Sequence, residues 1–245
     1  MSSEDFADRV AGLAALADPI RRELYLFVAA QPEPVSRDRA AEGVAVPRHT
    51  AKFHLDKLVE QGLLDTEFQR LSGRRGPGAG RPTKLYRRSD RELSVTLPER
   101  RYDLAGHLFA QAIDDSTRTG TPVLDAVHTA AAEYGRTLGD QARPALGPPP
   151  DPGQRVAAVC AVLTAHGYEP RRVDSSVILV NCPFDALAQD HTDLVCGMNL
   201  ALLDAVADRV GDGTLTARLD PADNRCCVVL DTPRPLGATP RPATR

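Results

Sequence analysis

Five cysteines are the residues of this 245-residue chain with the most specific chemistry, and four of them lie in its last third. Cys182 is followed by Pro and Phe, Cys196 by Gly, Met and Asn, and Cys226 and Cys227 are adjacent. Thiolates bind zinc and iron–sulfur clusters and take part in redox exchange. Thirteen residues separate Cys182 from Cys196 and 29 separate Cys196 from Cys226, unlike the close pairs of a zinc ribbon. Folding would have to bring these thiols together.

The predicted secondary structure indicates how they could meet. Cys182 follows directly on a strand predicted at 176–181, and Cys196 lies on a helix predicted at about 185–210. Cys226 and Cys227 begin a strand predicted at 226–230. Adjacent strand residues point to opposite faces, so we expect only one of the last two thiols to face a shared site. Cys226 is the preferred ligand and Cys227 the alternative. The remaining cysteine, Cys160, lies in an Ala- and Val-rich helix and is expected to act as a small buried hydrophobe.

Three thiolates, from Cys182, Cys196 and Cys226, suit a [4Fe–4S] cluster in which another group or solvent holds one iron. His191 is a possible further ligand, although it precedes Cys196 by five residues and lies about 140° around an ideal helix from it. A surface or capping role is the competing interpretation of His191. Three alternatives stay open for the thiols: a zinc site, a thiol-redox site without iron, and buried thiols without any ligand.

An enzyme with a cysteine nucleophile is a further possibility that the sequence disfavours. Cys196 and His191 resemble a nucleophile–base pair, but no glycine-rich cofactor loop or paired-carboxylate motif accompanies them. We therefore expect no catalytic residues and no small-molecule substrate.

The N-terminal segment has the order of elements of a winged helix-turn-helix. Asp18-Pro19 and Ser36 are helix start signals, Pro47 opens a further helix, and Gly62 ends it. The predicted helices are 4–16, 19–30, 37–43 and 48–61, and the predicted strands of the wing are 64–71 and 84–88.

The helix at 48–61 has the pattern of a recognition helix. Ala51, Leu55 and Leu58 form its inward stripe. Recognition helices place polar and basic side chains of their first turns in the major groove. The predicted DNA contacts on this helix are Arg48, His49, Thr50, Lys52 and Phe53.

The wing carries the basic charge that the chain lacks overall, since its net charge is −3. Between Leu71 and Ser89 there are basic residues and no acidic ones, which is the electrostatic footprint of a polyanion partner. Arg81 is expected to approach the minor groove, and the other wing contacts are expected to reach phosphates. These predicted contacts are Arg74, Arg75, Arg81 and Lys84. The predicted partner is double-stranded DNA.

Three segments in this order resemble the ArsR-type winged-helix regulators: Leu16–Arg22 (LADPIRR), His54–Leu64 (HLDKLVEQGLL), and Gly80-Arg81-Pro82 before Tyr86. The resemblance implies a homodimer that represses or activates transcription from an imperfect palindrome. Two half-sites also multiply the modest affinity of one short helix. The helices at 4–16 and 102–142 are candidates for the dimer surface.

The C-terminal half, roughly 150–230, resembles the repressors of iron–sulfur-cluster biogenesis (SufR-like) within the ArsR-type group. The residues that carry this resemblance are the Cys182, Cys196 and Cys226-Cys227 contexts together with His191. It implies that three cysteines hold an iron–sulfur cluster and that cluster occupancy alters operator binding.

The predicted fold class is α+β. We expect a winged helix-turn-helix domain at 1–98, a helical linker or dimerisation region at 99–143, a cysteine-containing α+β sensor domain at 152–231 and a disordered tail at 232–245. No apolar run approaches the ~18 residues of a membrane helix, and no signal peptide is visible. A cytoplasmic protein with reduced thiols and no membrane partner is therefore expected.

Overall fold

The computed structural model describes residues 3–70, 82–143, 151–211 and 213–232. The chain divides into two compact units, Ser2–Val95 and Thr96–Arg245. Among the described residues no helix is both long and apolar enough to cross a membrane.

The N-terminal unit combines four helices with a three-stranded sheet of order β1-β3-β2. Its elements are α1 (Ser3–Ala15), α2 (Pro19–Ala29), β1 (Val35–Ser36), α3 (Arg37–Gly43), α4 (Arg48–Glu60), β2 (Leu64–Gln69) and β3 (Thr83–Arg88). Leu24, Leu55 and Leu58 are fully buried at the centre of its core.

The helix starts follow from local side-chain capping. The Asp18 carboxylate accepts a hydrogen bond from Arg21 N at 2.9 Å, and Pro19 occupies the first turn of α2. The Ser36 hydroxyl accepts one from Arg39 N at 3.2 Å and caps α3. Each cap satisfies a backbone donor that the first turn leaves free. Gly62, with φ of +68°, lies in the left-handed conformation that ends α4.

The wing is an antiparallel pair, with β2 aligned along β3 from Leu64 opposite Arg88 to Gln69 opposite Thr83. The sequence did not predict β1, which adds Val35 opposite Tyr86 at the other edge of β3. A two-residue strand has no periodicity to detect. Residues 71–81, which the sequence analysis placed in the wing, lie outside the described residues.

The C-terminal unit packs helices against an antiparallel sheet of order β4-β5-β7-β6. Its elements are α5 (Tyr102–Thr119), α6 (Val123–Ala142), α7 (Pro152–Ala165), β4 (Pro170–Val173), β5 (Ser176–Leu179), α8 (Asp185–Asp190), α9 (Thr192–Gly211), β6 (Thr216–Leu219) and β7 (Val228–Asp231). The described parts of the protein are thus a mixture of helix and sheet headed by a helix-turn-helix.

The α5 and α6 helices lie within the region 99–143, whose role as a linker or dimerisation region stays a prediction. They share one hydrophobic core with α9 and the sheet. The α6–α9 contact is so close that an ideal Cβ on Gly135 would lie 2.2 Å from the carbonyl oxygen of Leu202. Because only a residue without a side chain fits there, Gly135 permits this approach.

The element boundaries differ from the sequence-based prediction at three places in this unit. The edge strand β4 was not predicted, because it begins with Pro170 and its remaining residues are exposed without alternation. The single helix predicted at 185–210 is two helices, broken at His191 with φ of −136°. The strand predicted at 226–230 begins at Val228, after a turn in which Asn224 has φ of +57°.

Candidate functional site

The α4 helix buries one face and presents the other to solvent. Ala51, Leu55 and Leu58 are buried as the sequence predicted, and His54 is also buried. The ring of His54 lies beside Arg21, whose Nε is 3.4 Å from Nδ1. Four of the predicted DNA contacts on this helix are exposed and Thr50 is partly exposed. The exposed four are Arg48, His49, Lys52 and Phe53.

The cationic side chains of this surface are held by carboxylates that sequence reasoning missed. Arg48 Nε lies 2.5 Å from Asp38 Oδ1, which joins α4 to α3. Lys52 Nζ lies 3.5 Å from Asp56 Oδ2 on the next turn. Phosphates would have to compete with these ion pairs, which are exposed and therefore weak. The Lys52–Asp56 pair has the i, i+4 spacing that a sequence can signal.

The base of the wing is tied to α4 by Asp56. Its Oδ1 accepts hydrogen bonds from Lys84 Nζ at 2.7 Å and from Tyr86 OH at 3.0 Å. Partial burial favours a higher pKa for Asp56, but the Lys84 and Tyr86 hydrogen bonds outweigh it and lower the pKa. Burial and the Asp56 carboxylate raise the pKa of Tyr86. The predicted contact Lys84 therefore also has a structural role.

Three further predicted DNA contacts, Arg74, Arg75 and Arg81, lie outside the described residues. Their roles stay predictions.

Three distant segments bring their cysteines together in the C-terminal unit. Cys182 lies in the loop between β5 and α8, Cys196 on the second turn of α9, and Cys226 and Cys227 immediately before β7. Side-chain interactions join Cys182 to Cys226, Cys226 to Cys227, and Cys227 to Cys196. The four thiols are therefore close neighbours, and we call them the cysteine cluster.

The expectation that only one of Cys226 and Cys227 would face the site is wrong. It assumed strand geometry at both positions, whereas the regular strand begins at Val228. Because the backbone at Cys226 and Cys227 is not in strand conformation, both thiols can lie in the cysteine cluster. The buried Cys226 lies inside and the half-buried Cys227 nearer the surface.

Neighbouring thiols of the cysteine cluster shift one another's pKa in opposite directions. Interaction with Cys226 lowers the pKa of Cys182 against the effect of burial, and interactions with Cys226 and Cys196 lower the pKa of Cys227 to about 6. Burial and the Cys227 contact raise the pKa of Cys196 to about 12. The contacts with Cys182 and Cys227 raise the pKa of Cys226 well above its ordinary value. Cys182 and Cys227 are thus the thiols most readily ionised, and thiolate is the metal-binding form.

A buried polar pair fixes the innermost thiol. Asn199 is 1% exposed, and its Nδ2 donates to Cys226 Sγ at 3.2 Å. Its Oδ1 accepts from Tyr168 OH at 2.5 Å. Burial raises the pKa of Tyr168 well above the ordinary value, so this hydroxyl keeps its proton and donates. The sequence signal that could have indicated this contact is a polar residue, Asn199, among the buried apolar residues of α9.

The other two candidate residues lie differently. His191 is exposed at the break between α8 and α9. Cys160 lies half-buried on α7, packed against the core, and burial raises the pKa of its thiol.

The cysteine cluster does not have the arrangement of a single-ion site. Among the described residues, no group of three or more His, Cys, Asp or Glu side chains is placed to hold one metal ion. In an iron–sulfur cluster each cysteine binds a separate iron, so the ligands surround a larger body. The sulfur-only donor set fits that chemistry, provided the thiols separate from their mutual contacts.

Comparison with known proteins identifies the N-terminal part. A family model described as a helix-turn-helix domain matches residues 16–67, the region from the residue after α1 into β2. This confirms the prediction of a helix-turn-helix, and it indicates a DNA-binding regulator rather than an enzyme. The match covers less than half of the chain and does not extend to the cysteine cluster.

The other comparisons add no functional argument. A search of curated proteins found no match. The crystal structure of human N-acetylserotonin methyltransferase in complex with SAM is 20% identical, with a TM-score of 0.24 over 57% of this chain. The chain spans 47% of that protein's length. A likeness this distant carries no conclusion about fold or activity.

Proposed function

We propose that this chain is a dimeric transcriptional repressor of the SufR-like type, whose operator affinity is controlled by a [4Fe–4S] cluster. The observation that carries the proposal is that cysteines from three distant segments meet in a chain whose N-terminal part matches a helix-turn-helix domain. Cys182, Cys196 and Cys226 are the proposed ligands, and Cys227 is a fourth thiol within reach of the same site. His191 is less suited because it is exposed at a helix boundary.

The proposed DNA partner is a double-stranded imperfect palindrome read by α4. Its exposed face offers two cations, an imidazole and an aromatic ring, of which Phe53 is 57% exposed. Arginine pairs with guanine edges, and an apolar ring suits a thymine methyl group. Arg48, currently paired with Asp38, is the proposed base reader. The wing arginines are the proposed phosphate contacts.

The proposed dimer is supported by apolar residues left at the surface of α1. Val10 and Leu13 are each 41% exposed and lie three positions apart, so they share one helix face. A second copy of the same face would cover them in a two-fold symmetric contact. The exposed Ile113, Val123 and Leu124 around the α5–α6 connection are a second candidate surface.

The cluster, when bound, would supply a redox-active and oxygen-sensitive centre. The chain's own residues would position its ligands: Asn199 holds Cys226, and the Phe184 N–H helps to hold Cys182 in the ionised form. Occupancy can change operator affinity only if the cluster prefers one conformation of the protein.

A thiol-redox regulator without iron is the second candidate. The proximity of the four thiols favours it: the ionised Cys227 can attack an oxidised small-molecule disulfide, which releases one thiolate, and a neighbouring cysteine thiolate can then displace the second to form an internal disulfide. A zinc-binding regulator is the remaining alternative.

Metal and sulfide analysis of protein purified without oxygen tests these candidates. The proposal expects iron and acid-labile sulfide in similar amounts and a broad visible absorption band that air abolishes. Cys196→Ser should lose the iron, whereas the matched control Cys160→Ser should retain it. Stoichiometric zinc without sulfide would favour the zinc alternative. A colourless, metal-free protein that forms a reversible disulfide would favour the thiol-redox one.

Operator binding tests the DNA-binding part separately. Arg81→Ala should weaken binding to all sequences and reduce the dependence on salt by about one phosphate contact. Arg48→Ala should instead relax the preference for the operator over unrelated DNA. Arg172→Ala, which removes an exposed arginine of β4, is the control and should leave both unchanged. Equal effects of all three variants would contradict the assignment of α4 as the reader.

A further inference from the structure

The loop that carries Cys182 is fastened to the segment that leads into α5. Arg101 N donates to the carbonyl oxygen of Pro183 at 2.9 Å, and Ala186 N donates to Tyr102 OH at 3.4 Å. Two side chains, Arg100 and Asn181, connect the same two stretches. We call these contacts between residues 99–102 and 181–186 the α5 clamp.

Asn181 uses its whole amide in the α5 clamp. Its Nδ2 donates to the carbonyl oxygens of Glu99 at 2.9 Å and Gly167 at 2.6 Å, and its Oδ1 accepts from Arg100 Nη1. The residue is 6% exposed. A buried amide without partners costs free energy, so the bonds to Glu99 and Arg100 hold the two stretches in one particular arrangement, and the bond to Gly167 satisfies the remaining amide donor.

Arg100 binds the cysteine loop at two more points. Its Nη1 donates to the carbonyl oxygen of Cys182 at 2.9 Å, and its Nη2 lies 3.5 Å from Asp185 Oδ2. Its own backbone N–H donates to Thr96 Oγ1 at 2.8 Å. One residue therefore contacts the backbone of a proposed ligand and the first residue of the C-terminal unit, Thr96.

We propose that Arg100 and Asn181 are positioning residues that transmit the state of Cys182 to the chain segment leading to the DNA-binding unit. The inference rests on the proposed function, because it takes the cysteine cluster as the regulated site. To receive a cluster, Cys182 must leave its contact with Cys226. Because Arg100 Nη1 bonds the carbonyl oxygen of Cys182, a backbone displacement of Cys182 that accompanies this change would reach the guanidinium. Residues 96–101 are covalently continuous with the unit that ends at Val95.

This route differs from one that runs only through the α5–α6 helices. Those helices share a tightly packed core with α9, which resists small displacements. The α5 clamp consists of polar contacts outside that core, which can exchange partners at lower cost. Allosteric coupling requires such an element with two arrangements.

Arg100→Met tests the clamp, because it removes the guanidinium while keeping a side chain of similar length. The measured quantity is the ratio of operator Kd values for cluster-loaded and metal-free protein, with iron and sulfide determined on the same samples. A wild-type ratio in the common range of about 5–150-fold should fall to within about twofold of unity in Arg100→Met. The ratio is compared at equal cluster occupancy, set from the iron and sulfide content of each sample. Arg100→Lys should restore part of the ratio, and Arg171→Met on the exposed strand β4 should leave it at the wild-type value.

Hydrogen exchange supplies a second measurement. If the α5 clamp had only a structural role, cluster loading would not change the exchange rates of its amides. Loading the wild-type protein should change the exchange rate of the Arg101 amide severalfold, and the change should disappear in Arg100→Met. Fully loaded Arg100→Met with the wild-type Kd ratio would overturn the clamp and leave the proposed function intact. A wild-type protein without iron would overturn the proposed function and the clamp's role together.

Discussion

Replacing Gly135 by alanine should push α6 and α9 apart. The added Cβ would lie 2.2 Å from the carbonyl oxygen of Leu202 and 3.0 Å from the Cβ of Ala205. Neither atom can rotate away, since one belongs to the backbone and the other is attached to it directly. Overpacking of this kind costs about 1–3 kcal/mol. Alanine meanwhile gains about 1 kcal/mol of helix propensity over glycine, which offsets part of the cost.

Gly106→Ala is the matched control for this substitution. Gly106 lies within α5, and its added Cβ would have no neighbour within 4 Å, so only the gain in helix propensity remains. The propensity terms cancel between the two variants, and the difference in unfolding free energy isolates the overpacking at about 1–3 kcal/mol. For a unit of this size that corresponds to about 2–4 °C in Tm per kcal/mol.

Thermal and urea unfolding of the full chain, followed by circular dichroism, measure this difference. Because α9 carries Cys196, the Gly135→Ala protein purified without oxygen should also hold less iron than the Gly106→Ala protein. Equal stability of the two variants would refute the close α6–α9 contact. A Gly135→Ala protein more stable than wild type would do the same.

Three further predictions concern charge and burial. Hydrogen bonding holds the pKa of Asp56 below its ordinary value of 3.8. The contribution of Asp56 to stability is therefore present above pH 3.8 and is lost as the pH falls through the lower folded pKa. Asp56→Asn should lose less urea resistance than wild type in that acid range, and an unchanged loss would contradict the role of this carboxylate. In reduced, metal-free protein, the alkylation rate of Cys227 should rise as the pH passes through its pKa of about 6, whereas Cys196, with its pKa raised to about 12, should react slowly at neutral pH. Peptide mass spectrometry measures both rates, and faster alkylation of Cys196 than of Cys227 would contradict this order of thiol acidity. Asn199→Ala should lower the unfolding free energy by about 1–3 kcal/mol because it leaves the buried hydroxyl of Tyr168 unpaired, and Tyr168→Phe in the same background should recover part of that loss in urea titrations.

The helix-turn-helix was predictable because its signals are local. Asp18-Pro19 and Ser36 cap helices through bonds to residues three positions away, and Gly62 ends α4 through its own backbone conformation. The inward stripe of α4 follows from helical periodicity alone. Such features need no knowledge of the rest of the chain, so the sequence specified where α4 begins and which face it buries.

The cysteine cluster depended on tertiary structure. Residue types indicated thiol chemistry, and the separate contexts of Cys182 and Cys196 marked them as candidates. Whether Cys226 or Cys227 joins them turned on where β7 begins, which the turn before it and the sheet pairing decide. Asn199 and Arg100 contact this region from 27 and 82 residues away in sequence. No periodicity encodes such separations, because contacts between distant segments arise only when packing brings the helices and the sheet together.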